Sequence, residues 1–265
     1  MRFIPIVIVI GIASASPAFA ADRMTDRDVK NLVSRVEDGR DRFDNALDNN
    51  LKRQIVRGPG GEVNVDNFLN DFQESTDKLE KRLTPEYAAS AEVATVLRQA
   101  SAIDRFFKQQ PPGTKGESEW NRLATDLKTL AAAYGAEFPL AEGAPVRRMG
   151  DGEVAKAAEQ ISKSAEQLKK SLDGELKKTP SVDKQTRESI VGEADQLSKD
   201  AKSLRDRVKD SKPSSAEAEQ LIARASKMQG IFAGRQLPAS MGVWGGLSAR
   251  LRDLASAFRV QWPTT

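Results

Sequence analysis

Residues 120–139 read WNRLATDLKTLAAAYGAEFP, and residues 244–263 read WGGLSARLRDLASAFRVQWP. Set one on the other, Trp120 meets Trp244, Leu123 meets Leu247, Leu127 meets Leu251, and Leu130-Ala131 meets Leu254-Ala255. Tyr134 then meets Phe258, Phe138 meets Trp262 and Pro139 meets Pro263, with every pair 124 positions apart. Generic amphipathic helices align with one another easily, but a collinear set that puts Trp on Trp and Pro on Pro implies an internal duplication.

The correspondence extends upstream at an offset of 125, so one residue was gained or lost in a loop. Ala100, Ser101, Ile103 and Phe107 match Ala225, Ser226, Met228 and Phe232, and Ser90-Ala91-Glu92 matches Ser215-Ala216-Glu217. Phe72, Leu79, Arg82 and Leu83 match Leu197, Leu204, Arg207 and Val208. Val29, Val36, Phe43, Leu47, Asp48, Leu51 and Lys52 match Val154, Ile161, Leu168, Leu172, Asp173, Leu176 and Lys177.

The matched apolar positions advance by three and four, as one stripe along a helix does, and no segment alternates as a half-buried strand would. Punctuation sets the ends: Thr84-Pro85 offers proline to a first helical turn, Ser214 with Glu217 has capping-box spacing, and Gly58-Pro59-Gly60-Gly61 separates two helices. The pattern predicts helices near 25–55, 63–83, 86–110, 118–135, 152–178, 183–210, 215–235 and 242–259. The expected fold is therefore all-α, as two tandem up-and-down four-helix bundles: repeat 1 over 21–139, a Gly/Pro-rich linker over 140–151, and repeat 2 over 152–265.

Residues 1–20 have the order of a signal peptide: Met1-Arg2, an apolar run from Phe3 to Ala13, then Ala18-Phe19-Ala20 as a small-x-small cleavage site. Cleavage after Ala20 would place the protein in the periplasm or outside the cell, with no integral membrane segment, because the apolar run is shorter than the roughly 20 residues a span needs. The chain has no Cys, so its fold relies on burial without disulfides even in a compartment that permits them. A hydrophobic share of 39% with 30% charged residues fits a globular protein. The net charge of +3 sets 41 cations against 38 anions, too near balance to concentrate nucleic acid.

Without His or Cys the chain cannot build a thiol nucleophile, a His-based triad, a tetrahedral zinc site or the Glu-x-x-His di-iron set of some bundles. Glu37, Asp41, Asp44 and Asp48 follow one helical face and could hold a hard cation, but their counterparts Ser162, Glu166, Lys169 and Asp173 keep only Asp48, so a solvated flank is the simpler reading. The loops Gly58-Pro59-Gly60-Gly61 and Pro112-Gly113-Thr114-Lys115-Gly116 lack phosphate-loop spacing and read as helix-to-helix turns. Trp120, Trp244 and Trp262 could stack on sugars or bases, yet repeated aromatics at equivalent helical positions read as packing. Lys169-Lys170 and Lys177-Lys178 are offset by nearby acids and read as an exposed face. Arg40 interrupts its own apolar stripe where repeat 2 has Ala165; it would either snorkel at the edge or, if buried, need a carboxylate and mark a polar pocket.

The run Ala100-Ser101-Ala102-Ile103-Asp104-Arg105-Phe106, followed by Trp120, Leu123, Asp126-Leu127, Leu130-Ala131 and Tyr134, resembles a group of exported bacterial helical repeat proteins to which no activity is attached. The resemblance covers about the second half of each unit and implies fold and export only. Gln229-Gly230 replaces Asp104-Arg105 in the second unit and Arg250 replaces Asp126, so a role for those charges would belong to the first unit.

These readings assign no catalytic, cofactor-binding or metal residues. They favour a non-enzymatic, exported helical scaffold that presents surfaces to a protein partner. A small apolar ligand or lipid held between helices, or in the cleft between the bundles, is the alternative. A carboxylate-only enzyme is a third reading, for which Asp104 and Asp126 are the obvious acids. Whether Arg40, Asp104 and Asp126 converge on one cavity decides whether they form a site.

Overall fold

The computed structural model describes residues 23–262 except Gly234. The segment read as a signal peptide, the cleavage expected after Ala20, and Pro263 lie outside the described residues. Among those described, the chain is mainly helical with one small two-stranded hairpin, and no helix is long and apolar enough to cross a membrane.

The first helix, α1, runs Asp26–Ala46. Thr25 and Asp28 start it as a reciprocal capping box, which satisfies amide groups that have no partner within the helix. It stops well short of residue 55. Leu47 turns extended, and the Asp48 carboxylate caps a new short helix, α2 (Asn49–Lys52), by accepting from the amides of Asn50 and Leu51. Beyond it come two strands that the apolar spacing did not reveal. Strand β1 (Ile55–Gly58) pairs antiparallel with β2 (Gly61–Asn64), Val56 opposite Val63 and Gly58 opposite Gly61. Pro59-Gly60 is thus the tip of a β-hairpin and not a helix-to-helix turn. With four residues per strand and Val56 the one residue of β1 that is buried, the alternation is too short to register against the helical period.

Helix α3 (Val65–Arg82) follows, capped by Asn64, and α4 spans Ser90–Phe107. Pro85 does not open α4: Thr84 and Tyr87 exchange backbone hydrogen bonds of 3.1 Å and hold a turn there instead. Helix α5 (Glu117–Ala133) completes the first half. The second contains α6 (Asp151–Leu176), α7 (Lys184–Lys209), α8 (Ser215–Ala233) and α9 (Pro238–Phe258).

Helix α1 packs on α3 and α5, and α4 packs on the same two; α6 packs on α7 and α9, and α8 on those two. Each set of four closes around its own hydrophobic core, one running from Val29 to Leu140 and the other from Val154 to Phe258. Trp120 and Trp244 are buried in these cores at 2% and 8% exposure. Trp120 stacks with Phe107 and Trp244 with Phe232, so an aromatic pair recurs at matched positions. Trp262 is half-buried, with Arg252 lying over its ring.

Candidate functional site

Arg40, Asp104 and Asp126 do not converge. Arg40 is buried at 6% exposure between α1 and α3, where its guanidinium donates to the Thr76 hydroxyl and pairs with Asp41 at 2.7 Å and Asp77 at 3.1 Å. It does not snorkel. The acids hold its charge at the helix interface, which answers the desolvation that a buried guanidinium incurs. Asp104 accepts from the Trp120 indole at 3.3 Å and pairs with Lys108 at 2.7 Å within its own helix. Asp126 pairs with the exposed Arg35 on α1. The acidic row along α1 is likewise dispersed: Asp41 goes to Arg40, Asp44 to Lys52 and Asp48 to the cap of α2. Among the described residues no three carboxylates come together in a way that could hold a metal ion.

The dense polar constellation lies elsewhere, at the seam where the N-termini of α1 and α6 meet. Asp26 and Asp151 open these two helices, and each carboxylate crosses the seam to accept the other's backbone amide: Asp26 N–H to Asp151 Oδ2 at 2.8 Å, Asp151 N–H to Asp26 Oδ2 at 2.7 Å. Two helix N-termini brought face to face carry like partial charges, and this exchange places an anion on each. The arginines three residues earlier do the same. Arg23 pairs with Asp151 at 2.6 Å and donates to the Met149 carbonyl, while Arg148 pairs with Asp26 at 2.5 Å and donates to the Met24 carbonyl. The amides of Arg23 and Arg148 donate to the Ser215 and Ser90 hydroxyls, both at 3.2 Å.

Every one of these contacts maps onto its partner by a shift of 125 residues, so the seam has a local pseudo-two-fold axis, with contacts of the isologous kind. The leading segment of each half is clasped by the other half. The signal was present in the sequence as Arg23-Met24-x-Asp26 against Arg148-Met149-x-Asp151, but it fell where the first unit was taken to begin and where glycines and prolines marked a linker. The stretch between α5 and α6 is no slack tether: Leu140 is buried, and its amide donates to Ser101 Oγ at 2.7 Å.

Burial dominates the electrostatics of the clasp. It raises the Asp26 carboxyl above the usual carboxylate range against the opposing pull of Arg148, and it lowers Arg148, with Arg23 adding like-charge repulsion. The Arg148 side chain is only 2% exposed, and its Nε is a buried donor with no acceptor among the described residues.

Two cavities flank the clasp. One, of about 650 Å³, is lined by the apolar Leu83, Pro85, Ala155 and Val208, by the cations Arg27, Lys30, Lys156 and Lys209, and by the acids Asp26, Asp151 and Glu159, which are themselves paired with Arg148, Arg23 and Lys163. None of those four cations pairs with a carboxylate among the described residues. The other, of about 360 Å³, is lined by Arg23, Arg147, Arg148 and Arg259 together with Tyr134, Met149 and Asp253. A third, of about 420 Å³, lies away from the seam between the hairpin and the α3 and α4 helices.

Compared with family models, with curated proteins and with solved structures, the chain matches none of them.

Proposed function

We propose that this is a non-enzymatic, exported binding protein made of two tandem up-and-down four-helix bundles that arose by duplication, and that it holds a lipid-like anion in the larger cleft between them. The carrying observation is that cleft's composition: apolar side chains from both halves beside four cations that pair with no carboxylate among the described residues, while the three acids in the lining are already tied to other cations. An acyl chain on Leu83 and Val208 would leave water, and its acidic head would meet Lys156 and Lys209. The symmetric clasp supports descent from a repeated unit, because it joins matched residues. A periplasmic or secreted location rests on the first twenty residues. The reading assigns no catalytic residue, cofactor, metal or nucleic-acid partner.

A scaffold for a protein partner draws less support. The large apolar side chains that stand exposed, Ile55, Tyr87 and Met241, lie on separate elements and do not gather into a docking face.

Dodecanoate, titrated below its micelle concentration and followed by thermal melting, tests the proposal. Saturable stabilisation is expected, approaching about 2.7 kcal/mol at a hundredfold excess over Kd. Lys156→Glu with Lys209→Glu should weaken dodecanoate at least tenfold and leave dodecanol binding alone. If neither probe shifts the melt, the cleft is not a lipid site. A specific partner captured from envelope extract by the ligand-free protein would then favour the scaffold.

A further inference from the structure

The smaller cavity carries an inference of its own, independent of the lipid cleft. It sits on the pseudo-two-fold seam behind the clasp, where Arg23, Arg147, Arg148 and Arg259 converge from both halves. The only carboxylate lining it is Asp253, and the clasp acids Asp26 and Asp151 lie just behind. Four guanidinium groups therefore face three carboxylates.

The uncompensated charge is concentrated on particular atoms. Arg147 and Arg259 are exposed and pair with no carboxylate among the described residues; Arg259 reaches across the seam only to the Ala132 carbonyl. Arg148 is buried with its Nη2 held by Asp26 and Met24, so it contributes charge from behind the cavity wall while Arg147 and Arg259 stand in it.

We propose that this cavity binds a small organic carboxylate. A net excess of one positive charge suits a monoanion better than a dianion. Guanidinium forks match the planar carboxylate through parallel N–H···O bonds. Pro145, Met149 and Ala257 supply apolar wall for a short organic body, and 360 Å³ is near the lower end for a small-molecule pocket. The carboxylate pairs with the exposed Arg147 and Arg259, and Arg23 and Arg148 add positive charge behind them.

Benzoate is the probe, with benzamide as its neutral isostere and inorganic phosphate as the competing oxyanion, titrated calorimetrically into the full chain at low salt. Benzoate binds saturably, benzamide at least tenfold more weakly. Arg147→Gln with Arg259→Gln, both exposed and outside the clasp, weakens benzoate at least tenfold and leaves the melting temperature within a few degrees. Lys156→Glu with Lys209→Glu, in the other cleft, leaves benzoate binding unchanged. Absence of saturable benzoate binding, equal affinity in the Arg147/Arg259 variant, or phosphate binding tighter than benzoate overturns the proposal.

Discussion

Arg40 and Thr76 form a polar bridge between α1 and α3, and the positions 125 further on are Ala165 and Ala201, both fully buried between α6 and α7. The two halves thus solve one packing position in two ways, with a tied guanidinium and with a close apolar contact. Removing Arg40 leaves a void but frees Asp41 and Asp77 to solvent, so Arg40→Ala is expected to cost about 1–3 kcal/mol in chemical denaturation, less than breaking a wholly buried pair. Asp77→Asn, at an exposed partner, is expected to cost less than about 1 kcal/mol. Glu37 stands one turn before Arg40 and makes a pH prediction. Burial, then Glu80, raise its carboxyl to about 7, with Asp77 and Asp41 adding to the rise and Arg40 opposing it. The folded protein therefore holds this proton more tightly than the unfolded chain does. Stability attached to Glu37 is present below the unfolded pKa and is lost as pH rises through about 7. Glu37→Gln is expected to raise the melting temperature at pH 8 and to change it little at pH 4.5.

Among the elements, the start of α6 is tightly constrained by backbone. A Cβ at Gly152 would lie 2.3 Å from the Pro85 carbonyl oxygen, and the Gly152 amide donates to that same oxygen. Gly152→Ala is thus expected to destabilise by about 1–3 kcal/mol through overpacking, although alanine is the better helix former. Gly174 in α6 and Gly192 in α7 have open space where a Cβ would go, and alanine there should stabilise by up to about 1 kcal/mol. Thermal melts of the three variants separate the two effects. Most helices were legible from residue spacing, because each buries one long stripe and the period repeats many times. The hairpin was not. Its pairing depends on Val56 meeting Val63 across a turn, and an eight-residue segment gives too few alternations to outweigh the helical rhythm around it.

At the scale of the molecule, the clasp places buried ion pairs between two halves that each have a core of their own. Asp26→Asn with Asp151→Asn would leave Arg23 and Arg148 buried without counter-charge, a loss of about 3–5 kcal/mol for a broken buried pair. Because each set of four helices keeps its own apolar interior, the helical circular dichroism of that variant should match the wild type at low temperature. Calorimetry should resolve two transitions where the wild type gives one. A single unchanged transition would mean that the halves are coupled by something other than this seam.

The order of residues by itself determined that the chain is helical, where most of its helices run, and that one pattern occurs twice, since each of these follows from periodicity that a helix must satisfy locally. Only the tertiary structure decided that the arginines and aspartates ahead of α1 and α6 face each other, that Asp104 and Asp126 stand apart, and that cavities open beside the seam. Those outcomes depend on residues more than a hundred positions apart reaching one place, and on burial that strips water from their charges. Spacing along the chain encodes neither.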